Sequence, residues 1–218
     1  MPAARAFAFD AYGTLFDVAA AIMRHRDAVG PDAAALAALW RQRQLEYSWT
    51  GTLMGRTRDF WQLTQDALDF ALASFPAVDP ALKPRLLDAY WTLDAYADVE
   101  PTLARLAAAG QRLAIFTNGT AAMARGAAEA AGIARHFEAI VTVQPTGRFK
   151  THPETYAHLC RTLALPASAV TLVSSNRWDI AGAKAAGLAA IWCNRAGAPA
   201  EYADLPPDRA IRSLVELA

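Results

Sequence analysis

Residues 5–17 read RAFAFDAYGTLFD, and this stretch decides the fold. Phe7, Ala8 and Phe9 form a short apolar run that ends at Asp10, and Gly13-Thr14 supplies a turn. That is the pattern of a buried strand delivering a carboxylate to its C-terminal tip. In open α/β sheets, ligands and chemistry gather outside those tips. Two residues after Asp10 stands Tyr12, not a second carboxylate.

Working outward, short β-rich runs recur at Phe7–Asp10, Leu113–Thr117, Ile140–Val143, Val170–Ser174 and Ala190–Cys193, with helical stretches near 101–109, 120–131, 153–164 and 178–186. Strand then helix, repeated, predicts an α/β fold: a Rossmann-like parallel sheet flanked by helices. Gly110, Gly132 and Gly187 stand where helices should stop. No convincing strand appears from Val18 to about Ala97, where helices are broken near Gly30-Pro31, Gly51, Gly55 and Phe75–Pro80. A structureless loop of that length does not suit a compact chain. A helical cap inserted after the first strand is expected instead, over residues 18–96, with 1–17 and 97–218 as the core domain. In the cap helix around 32–49, Leu36, Leu39, Trp40 and Tyr47 form one packing stripe. Arg41 and Leu45 lie well off it, either as a second surface facing a pocket or as a solvated Arg beside an incidental Leu.

The 218 residues balance 21 Lys and Arg against 21 Asp and Glu and are 54% hydrophobic, which gives no reason to expect a nucleic-acid or membrane partner. Cys160 and Cys193 form no CxxC pair and no disulfide framework. Arg5 and Asp10 interrupt the N-terminal apolar stretch, unlike a signal peptide, so a cytoplasmic protein is expected.

Asp10, Thr117-Asn118 and Ser174–Asn176 end successive predicted strands; Lys150 precedes the His152-Pro153 helix start, and Asp179 opens the helix after Ser174. Each alone has an ordinary structural explanation, such as an N-cap or a surface lysine. A parallel sheet would bring them to one crevice.

In that order, Asp10 with Thr14, TNG at 117–119, Lys150 and Asp179 resemble the motif set of the haloacid dehalogenase superfamily. FDAYGTLFDV, LWRQRQLEYSW, TLMGR with DFW, TNGT, FKTHP, SSNRWD and NRAGAP resemble, over nearly the whole chain, the L-2-haloacid dehalogenases within it. Two letters depart from that pattern: Thr117 replaces the usual Ser, and Lys150-Thr151-His152-Pro153 the usual Lys-Pro-His-Pro. The extra methyl of Thr117 restricts its rotamers.

The resemblance implies hydrolysis of short-chain L-2-haloacids to D-2-hydroxy acids with inversion, through an ester on Asp10. Superfamily phosphatases carry more carboxylates near the last motif to hold magnesium. With Asp179 alone in SSNRWD, and Lys150 competing for the same charge, no metal or other cofactor is expected. Lys150 beside Asp10 would keep the nucleophile charged. Arg41, Asn118 and the edge of Trp178 resemble the halide cradle. Backbone N–H groups of Ala11, Tyr12 and Asn118, with the hydroxyls of Ser174 and Thr117, would take the substrate carboxylate. Tyr12, Gln42, Leu45, Phe60 and Trp178 would line the alkyl group. Thr14 would hydrogen-bond Asp10. Lys150, Asn176 and Asp179 would position or activate the water, with the base unassigned among them. Tyr156 would support Lys150 or the substrate. The implied partners are a small 2-haloacid, a halide ion and a second copy of the chain in a homodimer. A small-molecule phosphatase of the same superfamily and a non-catalytic small-acid binding protein are the competing readings.

Overall fold

The computed structural model describes residues 6–56 and 58–217; the first five residues and the last of the expected core domain lie outside them. Six strands form one sheet: β1 (Ala6–Phe9), β2 (Arg112–Thr117), β3 (Ala139–Thr142), β4 (Val170–Ser174), β5 (Ala189–Cys193) and β6 (Arg209–Ile211). Their order is β3-β2-β1-β4-β5-β6, and every pairing is parallel. The sequence reading had five of them. It missed β6, whose three residues bury only Ile211 and so show no apolar run. The central strands β1, β2 and β4 are buried almost throughout, as expected of strands covered on both faces.

Chain order reverses between β1 and β4, which lie side by side. This is the topological switch point, where a crevice opens beyond the strand ends. β1 stops at Phe9, and the Asp10 N–H still bonds the Val173 carbonyl at 2.9 Å. The carboxylate is therefore carried by the last residue that the sheet itself fixes.

Helices α1 (Ala20–Met23), α2 (Arg26–Val29), α3 (Ala33–Leu53), α4 (Phe60–Ser74) and α5 (Lys83–Trp91) all lie between β1 and β2. The chain leaves and re-enters the sheet layer along one seam: Asp17 N–H bonds the Asp94 carbonyl at 2.9 Å and Tyr96 N–H bonds the Leu15 carbonyl at 3.0 Å. Gly51 does not break α3 as expected; the helix runs on to Leu53, and the left-handed turn comes at Gly55, φ +66°. The buried stripe of α3 is Ala33, Leu36, Trp40, Gln44 and Ser48. Two of those five are polar, which blurs the apolar pattern.

The remaining helices are α6 (Val99–Ala108), α7 (Ala121–Ala130), α8 (Pro153–Leu163) and α9 (Arg177–Ala185). α6 shows how they end. Gly110, at φ +74°, donates to the Ala107 carbonyl at 2.9 Å and Gln111 to that of Leu106 at 3.0 Å. This double closure satisfies the last helical carbonyls and needs a left-handed residue.

Candidate active site

Asp10 is 5% exposed. Its Oδ2 accepts from Thr14 Oγ1 at 2.9 Å, Asn176 Nδ2 at 2.7 Å and Ser174 Oγ at 3.3 Å. Its Oδ1 accepts from Lys150 Nζ at 3.1 Å. One oxygen is thus saturated, while the other has a single donor and keeps lone-pair directions for attack.

Lys150 is fully buried. Its ammonium donates to Asp10 Oδ1, to Asp179 Oδ2 at 2.8 Å and to the Phe116 carbonyl at 2.8 Å. Three donors meet three acceptors, so the buried charge is fully satisfied. Its backbone N–H bonds Asn118 Oδ1 at 2.9 Å. That bond turns the Asn118 amide so that its NH₂ end faces away from the Lys150 turn.

Asp179 is also fully buried, in the first turn of α9. Burial raises its carboxyl above the ordinary value of 3.8, and this outweighs the pull of Lys150 in the opposite direction. Its Oδ1 accepts from the Tyr156 hydroxyl at 2.8 Å. Burial, then the adjacent Asp179 charge, pushes that phenol well above its ordinary range, so it stays a donor. The resemblance left Tyr156 supporting either Lys150 or the substrate. Its hydroxyl is in fact spent on Asp179, beneath the site. Ser174 is likewise turned to Asp10 and to the Asn176 N–H at 3.1 Å, not outward to a ligand.

From α3, Arg41 reaches over the strand tip. Nη1 donates to Gln44 Oε1 at 2.7 Å and Nη2 to the Tyr12 carbonyl at 3.2 Å. Asn176 Nδ2 donates to the same carbonyl at 3.2 Å. The Tyr12 ring is buried and stacks on Tyr90 at 5.5 Å with planes 24° apart, with Phe60 at 6.4 Å. The N–H groups of Ala11, Tyr12 and Asn118 meet no protein acceptor among the described residues, as an anion seat requires. Thr117 Oγ1 accepts from the Gly119 N–H at 2.9 Å.

Gln42 departs from expectation: it is exposed. Two residues on a helix are about 200° apart, so position 42 faces away from both Trp40 and Gln44. The buried amide beside Arg41 is Gln44, which also donates to Thr64 Oγ1 at 2.7 Å and Tyr90 Oη at 3.0 Å. Leu45 and Trp178 are half-buried.

Three further contributors have no role assigned from the sequence. Tyr90 lies far from Tyr12 in sequence. Arg195 braces the loop that follows Asp10, donating to the Thr14 carbonyl at 3.0 Å while paired with Asp98 at 2.8 Å. Gly119 makes room for Tyr12: a Cβ there would lie 2.7 Å from Tyr12 Cε2. Of these, only Arg195 and Gly119 lie inside stretches, NRAGAP and TNGT, that the resemblance marks.

No cluster of three or more His, Cys, Asp or Glu placed to hold a metal occurs among the described residues. The two carboxylates that do converge have an ammonium between them.

The family model of the haloacid dehalogenase-like hydrolases matches residues 4–187. The (S)-2-haloacid dehalogenase 1 of Pseudomonas sp. (strain CBS-3) is 49% identical over 214 residues, covering 98% of this chain and 94% of its own. The (S)-2-haloacid dehalogenase 4A of Burkholderia cepacia is 45% identical, covering 98% and 93%. A dehalogenase solved with an intermediate complex superposes with TM-score 0.97 at 43% identity, over 100% of this chain and 96% of that one. The L-2-haloacid dehalogenase of Xanthobacter autotrophicus, solved with chloropropionic acid covalently bound, superposes at 0.88 with 32% identity, over 98% and 96%. By near-complete coverage in both sequence and structure, the chain belongs to the (S)-2-haloacid dehalogenases within the haloacid dehalogenase-like hydrolases.

Proposed function

We propose that this chain hydrolyses short-chain L-2-haloacids to D-2-hydroxy acids with inversion, without a metal, through an ester on Asp10. The observation that carries the reading is the Asp10 carboxylate itself: four donors fix it at the switch point, and Lys150 Nζ lies 3.1 Å from Oδ1.

The reaction divides into two steps. Oδ1 attacks the α-carbon in line with the carbon–halogen bond. A carbon–oxygen bond forms, and the halide leaves with its electron pair toward Arg41 and the Asn118 amide. Stabilising charge as it develops at a leaving group is typically worth about 3–4 kcal/mol per well-placed donor. The substrate carboxylate takes the N–H groups of Ala11, Tyr12 and Asn118, and its alkyl group lies against Tyr12, Leu45, Phe60 and Trp178. Water then attacks Cγ of Asp10, and the acyl carbon–oxygen bond breaks. The product hydroxyl carries an oxygen that began on Asp10, and Asp10 regains one from water. Asp179 is the base for that water, acting with Lys150 and Asn176. Its raised carboxyl holds a proton more readily than an ordinary aspartate.

Residues 18–96 form the cap in this scheme and supply Arg41, while 1–17 and 97–218 form the core. Met23, Met54 and Phe70, exposed on the cap, support a homodimer. Cys160 and Cys193, both free thiols, suit a reducing cytoplasm. Among the described residues no helix is long and apolar enough to cross a membrane.

The test is halide release from separate L- and D-2-chloropropionate with EDTA present, followed by a single turnover in oxygen-18 water with enzyme in excess. Chloride from the L enantiomer alone, with ordinary oxygen in the first product, is expected. Heavy oxygen in that product, or turnover by Asp10→Asn, overturns the ester. Magnesium-dependent phosphate-ester hydrolysis without chloride release would point to the phosphatase instead.

A further inference from the structure

Arg41, Leu45, Trp49 and Leu53 recur every fourth residue of α3 and share one side of the helix. That row begins where Arg41 meets the Tyr12 carbonyl and ends in solvent, with Trp49 36% and Leu53 86% exposed. At its outer end lies an open pocket of about 360 Å³, bordered by Trp49 and Leu53, by Phe149 and Lys150, by Trp178 and by Tyr202. Thr52, Thr151 and His152 complete the lining, and the half-buried Trp178 is the residue this pocket shares with the alkyl contacts of the scheme above. Trp49 meets Trp178 edge to face, ring centres 5.5 Å apart and planes at 83°.

The Tyr202 wall is anchored from inside. Arg177 is 5% exposed, and its Nη2 donates to the carbonyls of Tyr202 at 3.0 Å and Leu205 at 2.7 Å. The guanidinium lies 5.3 Å from the Tyr202 ring centre and has no carboxylate partner among the described residues. A buried charge committed to two loop carbonyls fixes that loop against the pocket mouth.

We propose that this pocket is the subsite for the distal alkyl chain of 2-haloacids longer than propionate, with Trp49, Trp178 and Tyr202 as its walls. The inference rests on the dehalogenase reading above. The acid group and halogen are taken by polar groups around Asp10, so the part of the substrate left to enter an aromatic pocket is the hydrocarbon tail. The outer end is open, so chain length meets no abrupt limit.

The experiment compares kcat/KM by bromide release for L-2-bromopropionate, L-2-bromobutyrate and L-2-bromohexanoate in the wild type, Trp49→Ala and Tyr202→Ala. Both changed residues are over one-third exposed, which favours folded variants. A methylene moved from water into apolar contact is worth up to about fourfold. The wild type should hold or raise kcat/KM with length. Trp49→Ala should lose about tenfold on bromohexanoate while staying within about twofold on bromopropionate, and Tyr202→Ala should follow with a smaller loss. An equal effect along the series, or improved use of the long substrate by Trp49→Ala, overturns the subsite. A wild type that releases no bromide from any of the three overturns the dehalogenase reading and the subsite with it; normal bromopropionate turnover with an unmoved length ratio overturns the subsite alone.

Discussion

Replacing Lys150 by Met tests the centre of the site. The methionine fills similar volume but leaves Asp10 Oδ1 and Asp179 Oδ2 without the ammonium that now stands 3.1 and 2.8 Å from them. Removing one partner from a buried ion pair typically costs about 3–5 kcal/mol. For a chain of this length, that corresponds to a fall in Tm of about 6–20 °C. The loss should depend on pH with a definite sign. Burial already raises the Asp179 carboxyl above 3.8, and Lys150 is the principal opposing influence. Without it the carboxyl rises further. A carboxyl raised in the folded state favours the protonated form there, so stability falls as pH rises through its folded value and recovers on acidification. Urea unfolding followed by tryptophan fluorescence should therefore show the largest deficit near pH 8 and a clearly smaller one near pH 5. Halide release should fall by about a thousandfold or more at either pH, because Asp10 and Asp179 both lose the ammonium they share. A deficit of equal size at both pH values, or a variant as stable as wild type near pH 8, would refute the reasoning.

Arg41→Lys should lower kcat/KM by about a hundredfold with little change in stability, because one ammonium cannot hold Gln44 and the Tyr12 carbonyl as the guanidinium fork does; steady-state halide release checks this. Tyr156→Phe removes a hydrogen bond that favours ionised Asp179, so the acid limb of the kcat–pH profile should move to higher pH. Gly182→Ala sets two effects against each other. Intrinsic helix preference favours alanine by about 1 kcal/mol. However, the new methyl would lie 2.8 Å from Tyr156 Cζ and in contact with its hydroxyl. Overpacking of this kind costs about 1–3 kcal/mol, so the variant should be less stable and slower than wild type in thermal unfolding and turnover assays.

Much of the fold was legible because its central strands are apolar on both faces and its helices end at glycines. Asp10, Thr117 and Ser174 could be placed on one edge because strand ends in a parallel sheet point the same way. β6 was not legible, since a three-residue strand with one buried side chain has no period. The polar part of the cap was also hidden. Gln44 sits on the buried stripe of α3, where pattern reading expects carbon, while the resemblance points instead to Gln42 beside the alkyl group. Arg41, one turn back, and the distant Thr64 and Tyr90 make a buried amide tolerable there. Gly182 reads as a weak helix residue until the Tyr156 hydroxyl is seen against it.

Position 12 joins these observations. The absence of a second carboxylate there is more than a matter of one letter. The Tyr12 side chain is 2% exposed between Tyr90 and Phe60, both supplied by the helical insertion. An aspartate there would carry its charge into an aromatic enclosure, at an effective cost of several kcal/mol unless it took up a proton. Its backbone carbonyl, meanwhile, accepts from Arg41 on the insertion and from Asn176 on the core. The same residue therefore packs its ring into the insertion and holds Arg41 in place with its carbonyl. A carboxylate at position 12 would need a more polar surround than Tyr90 and Phe60 provide, so the apolar insertion, as well as the strand, bears on what can sit two residues after Asp10.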